Sequence, residues 1–233
     1  DNASFISLNK LEKNSTYLYN LDMTQTKKRN PFTPIKTTYK LENTFEFWRN
    51  SFLFYWVFSF LGHLIEYVWA VFLIIINEPS PLYTIPFFVV AAPYGLGALG
   101  IIWFIYPMVQ KGKISPIKVY IASVIIATII EFICGALVVA VMGYNPFWDY
   151  SDQFANLFGF VCLRNSLAFG LASLLMVYYI FPFINNLMKK CSQKFLNVSF
   201  WVVFIGYIAA RLFRFIEDFI SRKRFALELP QRY

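Results

Sequence analysis

Charged side chains make up only 15% of these 233 residues, where a water-soluble domain carries about 25%. That shortage excludes an ordinary soluble fold. Histidine occurs once and cysteine three times. Cys134 and Cys162 fall within apolar runs and Cys191 among lysines, a spacing that suits neither a zinc site nor a disulfide framework. The chain has no G-x-x-x-x-G-K-[ST] loop, which excludes ATP hydrolysis by that device, and no nucleophile motif argues for an enzyme. No cofactor or metal is expected. The net charge of +8 reads as membrane topology plus attraction to anionic lipid, not as nucleic-acid binding.

Apolar sequence is what the chain has in abundance, with 58% hydrophobic and 21% aromatic residues. Four runs exceed the roughly 18 to 20 residues that cross a hydrocarbon layer: Phe52–Ile76, Thr84–Val109, Lys118–Met142 and Ala155–Phe181. A fifth, Val198–Ile216, is interrupted by Arg211 and Arg214. The expected fold is therefore an all-α, polytopic transmembrane helical bundle of four to five spans, five being favoured. Residues 1–50 read as a polar cytoplasmic arm without an apolar signal-peptide core, 51–190 as a four-span core, and 191–233 as a fifth span or an interfacial amphipathic helix with a basic tail.

Lysines set the expected orientation. Lys111, Lys113 and Lys118 follow span two, and Lys189, Lys190 and Lys194 follow span four, so both loops belong in the cytoplasm. The loop at 77–83 carries only Glu78, and that at 143–154 carries Asp149 and Asp152 without a cation. Those two face outward, which places the protein in the cell membrane as a multi-pass chain with a cytoplasmic N-terminus.

Several polar residues interrupt the apolar runs. Ser59, Gly62, His63 and Glu66 recur at steps of three or four along span one, as do Thr128, Glu131 and Gly135 along span three, and such steps share one helix face. At 1.5 Å per residue both glutamates lie roughly 20 Å from their cytoplasmic ends, so they can meet. Arg164, about 15 Å below an outer end at residue 154 by the same rise, can reach between them. Intramembrane charges of this kind mark sites or pathways, although a buried ion pair fixing helix register would use the same residues. His63 permits proton exchange with Glu66 and equally suits a packing role. Span two contains Pro93, Gly95 and Gly97, where a helix break is expected. The small residues Gly159, Cys162, Ser166, Gly170 and Ser173 suit a close helix–helix contact.

Between spans three and four lies "NPFWDYS". Asn145-Pro146 ends a helix, Trp148 and Tyr150 suit the headgroup level, and Asp149 or Ser151 suits the cap of the next helix. The longer stretch "WDYSDQFANLFGFVCLRNSLAFG" resembles the "WDYS…N…G…CL…SL…G" signature of the ABC-transporter type IV, or CmpB-like, membrane-protein family. "SFLGHLIE", "PYGLGAL" and "IIEFICG" are similar to other motifs of that family, and the resemblance covers about residues 47 to 188. By position it marks Glu66, Glu131, Trp148, Asp149, Tyr150, Ser151 and Asn156. His63 stands where the family has tryptophan, and an Asn-Arg-Gly stretch is replaced by "YTIPFFVVAA".

The resemblance implies a permease-like transport component. Its partners would be membrane lipids and a separate ATPase or other membrane-complex subunits. The alternatives are a non-catalytic subunit of a larger complex and an intramembrane enzyme acting on a lipid. The orientation is directly testable. A cysteine replacing Ser192 is expected to react with an impermeant thiol reagent only from the cytoplasmic side, and one replacing Ser151 only from outside. The reverse labelling pattern overturns the assignment of both loops.

Overall fold

The computed structural model of the protein describes residues 31–77 and 92–228, with the side chains at 211, 214, 215 and 217–228 excepted. The chain divides into two units, residues 1–33 and 34–233. Of the first, only the turn at 31–33 is described.

Helix α1 spans Phe45–Ile75 and starts before its apolar run, because Thr44 Oγ1 accepts the Phe47 amide at 3.2 Å and Glu46 complements the positive helix end. Helix α2 spans Ala92–Phe104 and α3 Tyr106–Gln110. Helix α4 spans Pro116–Met142, with proline in its first turn and left-handed Gly143 (φ 82°) ending it. A two-residue antiparallel pair, β1 (Asn156–Leu157) with β2 (Val161–Cys162), precedes α5 (Leu163–Leu175). A π-helical turn at Met176–Ile180 joins α5 to α6 (Phe181–Lys190), and α7 spans Gln193–Glu228. Four helical stretches are long and apolar enough to cross a membrane: Phe45–Ile75, Pro116–Met142, Leu163–Lys190 and Gln193–Ala210. This is a membrane protein built as a helical bundle.

Two expected spans begin or break elsewhere. Residues 78–91, which hold most of the expected outward loop with Glu78 and the first part of span two, lie outside the described residues. From Ala92 onward α2 is continuous through Gly95 and Gly97, with Pro93 in its first described turn, so no break occurs at those glycines. The interruption falls at Ile105, two residues before Pro107, whose missing amide cannot continue the ladder. Gly95 serves close packing instead, since a Cβ there would lie 2.1 Å from Ser59 Oγ and 2.6 Å from the Tyr55 carbonyl oxygen. Span four begins at Leu163 rather than Ala155, because Ala155, Phe158 and Gly159 all take positive φ, which no α-helix accommodates.

Helix contacts order the bundle as α7, α1, α2, α4, α5. Along α1 and α7 the ring pairs Phe52–Phe200 (5.1 Å), Phe52–Phe204 (5.9 Å) and Trp56–Tyr207 (5.5 Å) advance in the same direction. The two helices therefore run side by side, and α7 does not lie across the end of α1. At the start of this ladder Arg49, 2% exposed, donates to Asn197 Oδ1 (2.6 Å) and Asn50 Oδ1, which compensates its burial with amide oxygens.

Part of the polar arm is built into the fold. Pro182 has no amide to give to the Tyr178 carbonyl one turn earlier, and the Ile35 N–H donates to that oxygen instead at 3.1 Å. Asn185 donates to Thr37 Oγ1 and the Thr38 carbonyl, Asn186 to the Lys36 carbonyl, and Lys189 to the Thr38 carbonyl. The Tyr39 ring meets Phe54, Tyr106 and Phe181 edge-on.

The α4–α5 contact depends on Gly170, where a Cβ would lie 2.4 Å from Val124 Cγ2 and 2.7 Å from the Tyr120 ring. Gly170→Ala is expected to destabilise the protein by about 1–3 kcal/mol through overpacking, seen as a lower melting temperature in detergent. Gly206→Ala, where nothing lies within 4 Å of the new Cβ, should show no loss.

Candidate functional site

The polar stripe of α1 faces α2. Ser59, Gly62 and His63 are buried and Glu66 is half-buried. Gly62 is what lets Tyr94 of α2 lie across the stripe, since a Cβ at residue 62 would stand 2.2 Å from the Tyr94 ring. So placed, the Tyr94 hydroxyl donates to Glu66 Oε1 at 2.5 Å. Its ring also meets Phe169 of α5 edge-on at 5.5 Å, which fixes the tyrosine between α1 and α5.

Glu131 of α4 is only 6% exposed. Its Oε1 accepts from the Tyr150 hydroxyl at 3.2 Å, while its Oε2 is buried with no hydrogen-bond partner. Gly135, one turn on, leaves room for the Phe160 ring, which a Cβ there would crowd at 3.0 Å. The carboxyls of Glu66 and Glu131 are close enough to act on each other electrostatically, and both act on Tyr94 and Tyr150. Two acceptors and two phenolic donors from α1, α2, α4 and the 143–162 loop thus form one cluster.

Tyr150 reaches that cluster because the loop is tied to itself. The Tyr150 amide donates to the Gly159 carbonyl (2.9 Å), and the Trp148 indole N–H donates to the Phe160 carbonyl (2.9 Å). The Asn156 side chain donates to the carbonyls of Ser151 (2.9 Å) and Gln153 (3.0 Å) and accepts the Gly159 amide at 3.2 Å. Phe158 and Gly159, both at positive φ, are the centre of a turn closed by the Phe160 amide on the Leu157 carbonyl, and the pairing of Leu157 with Val161 leaves three residues in the hairpin loop. Trp148 and Tyr150 are less exposed than the aromatic rings that flank them in the chain. Both are half-buried, and Tyr144, Phe147, Phe154 and Phe158 are the exposed ones.

Asp149 also departs from expectation. It is exposed and does not cap α5, whose N-cap is Cys162. Its Oδ1 accepts the Ser151 hydroxyl and the Ser151 amide, at 2.5 and 2.9 Å, in a turn local to the loop. These bonds, the hydroxyl's first, hold its carboxyl below the usual aspartate range. Burial, and then the charge of Glu131, push the Tyr150 phenol above its ordinary range, so it remains a donor.

Arg164 does not join the carboxyls. With the helix starting at Leu163 it occupies the first turn, on an exposed face, and its Nε donates to Asn165 Oδ1 at 3.4 Å. The buried small residues Ser166, Gly170 and Ser173 take the opposite face. Among the described residues the one ion pair is Lys40 with Glu42, at 3.7 Å and exposed. Tyr94 is the site residue that composition and spacing missed. Its only sequence signal is its place within "PYGLGAL".

Residues 53–214 match the family described as "Putative ABC-transporter type IV", and the chain belongs to that family. The match extends past the expected end at about residue 188 and takes in α7 as far as residue 214. No curated protein and no solved structure matches the chain.

The loop's tie through Asp149 predicts a pH dependence. The folded carboxyl is held below its ordinary value of 3.8, so its stabilising bonds are complete above that pH and are lost as pH falls through the lower folded value. Asp149→Ala should therefore lower the melting temperature at neutral pH, with the difference from wild type closing below pH 3.8. Asp152→Ala, changing another exposed charge of the loop, should melt with the wild type throughout.

Proposed function

We propose that this member of the ABC-transporter type IV family is a permease-like transport component of the cell membrane, with its N-terminus in the cytoplasm. The observation that carries this reading is the Glu66–Tyr94–Glu131–Tyr150 cluster. Ionisable side chains inside a membrane bundle are expensive to keep and mark a solute or ion pathway. Here they come from three helices and one loop, and a site shared among elements changes when any of them moves. His63 supports the same face of α1, and the tied loop with Trp148, Asp149, Ser151 and Asn156 holds the donor that closes the cluster at one end. The chain carries no P-loop, so the energy source on this reading is a separate ATPase.

A second reading, a non-catalytic subunit of a larger membrane complex, draws on α7. Val198, Trp201, Val202, Ile205 and Ile208 of that helix are all exposed, a continuous apolar row suited to another membrane helix as well as to lipid. Purification of the full chain in mild detergent separates the two. A permease component should co-purify with ATP hydrolysis that falls at least severalfold when Glu66→Gln and Glu131→Gln are introduced together. A stable large assembly without ATPase activity supports the subunit reading and removes the permease one.

A further inference from the structure

Helix α7 carries a shallow groove on a face that its ring contacts with α1 leave open. Val198, Trp201, Val202, Ile205 and Gly206 line it, with Lys194 and Asn197 at the end where the helix begins. The four large apolar side chains are exposed, while Phe200, Phe204 and Tyr207 make the contacts to α1. Gly206 keeps the far end open, since nothing lies within 4 Å of a Cβ placed there. Polar and apolar parts are separated along this groove. Lys194 is exposed in the first turn of a helix apolar enough to cross a membrane over Gln193–Ala210, which sets its ammonium at headgroup level. Asn197 turns its Oδ1 to Arg49 and leaves the Nδ2 donors of the same amide for another acceptor.

Charge and length both fit one kind of occupant. Between Phe181 and Ile216 the chain has no Asp or Glu, and Lys189, Lys190 and Lys194 precede the apolar stretch. From Lys194 to Gly206 the helix rises about 18 Å, enough for a headgroup contact and the roughly 15 Å of hydrocarbon in one leaflet. A second copy of the chain suits this face poorly. Two copies inserted the same way and related by an axis along the membrane normal would set each Lys194 against its counterpart, where an anionic headgroup would be attracted. An apolar partner helix would cover the groove and leave the donors at its head unused. We propose that this groove is the seat of one anionic phospholipid, its phosphate held by Lys194 and Asn197 and one acyl chain lying along Val198, Trp201, Val202 and Ile205 to Gly206. Because Asn197 also accepts from buried Arg49, a lipid held there braces the junction of α7 with α1. The seat stands apart from the permease reading and occupies the face that the subunit reading would give to a protein.

Native mass spectrometry of the full chain in mild detergent, titrated with phosphatidylglycerol and separately with phosphatidylcholine, tests the proposal. The wild type should retain one phosphatidylglycerol at concentrations where phosphatidylcholine is lost, and its melting temperature should rise with phosphatidylglycerol alone. Lys194→Ala should weaken that retention about fivefold. Lys113→Ala, which removes the same charge from another exposed loop, should leave it unchanged. Gly206→Leu has open space for its side chain and alters no charge, yet it should also weaken retention severalfold by filling the far end of the groove. Attraction to the lysines alone would not register a change about 18 Å along the helix. Equal retention of the two lipids overturns the proposal, as does retention that Gly206→Leu leaves intact or that the two lysine variants lower equally. So does a dimer or an added protein subunit found on this face in place of the lipid.

Discussion

A polar group inside a hydrocarbon layer has no water to bond, so the protein must supply every partner it needs. The two phenol–carboxyl bonds, Tyr94 to Glu66 and Tyr150 to Glu131, are this constraint at its most demanding. Each joins a residue of one element to a residue of another. Each also needs a glycine, Gly62 for the Tyr94 ring and Gly135 for Phe160 of the hairpin. The polar bonds and the close packing are therefore one arrangement, and a larger side chain at either glycine removes both.

The same constraint accounts for features distant from the carboxyls. Pro182 has no amide to give to the Tyr178 carbonyl, and the Ile35 amide donates to it instead. Arg49 enters the packed face of α1 only because Asn50 and Asn197 turn their oxygens toward it. In both places a chain segment that composition treats as peripheral, the arm in one case and the start of α7 in the other, provides the partner. These segments complete the bundle's hydrogen bonding and so belong to its structure.

What could be seen in the sequence follows from which signals are local. The span at 118–142 agrees with α4 at 116–142 because a long, predominantly apolar run needs no tertiary information. The stripe of Ser59, Gly62, His63 and Glu66 was legible from helical spacing alone, as was the small-residue face of α5. The start of span four was not. Phe154, Leu157, Phe158 and Phe160 are as apolar as any helix residue, and only positive φ at Ala155 and Phe158, non-glycine residues that seldom adopt it, turns them into a hairpin. From that one misplacement came the expectation that Arg164 lies deep enough to meet the carboxyls. The donors were illegible for a related reason. A tyrosine in an apolar run counts as a ring until its hydroxyl is shown to point at an acceptor, and that direction is a property of the packed helices.

The family-marked residues Trp148, Asp149, Tyr150, Ser151 and Asn156 divide between two tasks. Trp148, Asp149, Ser151 and Asn156 bond within the loop, to one another or to its backbone, whereas Tyr150 alone donates to the buried carboxyl. Adjacent residues in an extended segment point to opposite sides, so exposed Asp149 and inward Tyr150 need only one anchored stretch of backbone to hold both. The bond from the Tyr150 amide to the Gly159 carbonyl provides that anchor. Gly159 in turn admits no side chain, since a Cβ there would stand 2.7 Å from Ser151 Oγ and 2.8 Å from Asp149 Oδ1. The order of an exposed loop is thus a condition for the hydrogen bonding of a buried glutamate. A change in the loop, whether by proton, ligand or partner, would reach the membrane interior through a single phenol.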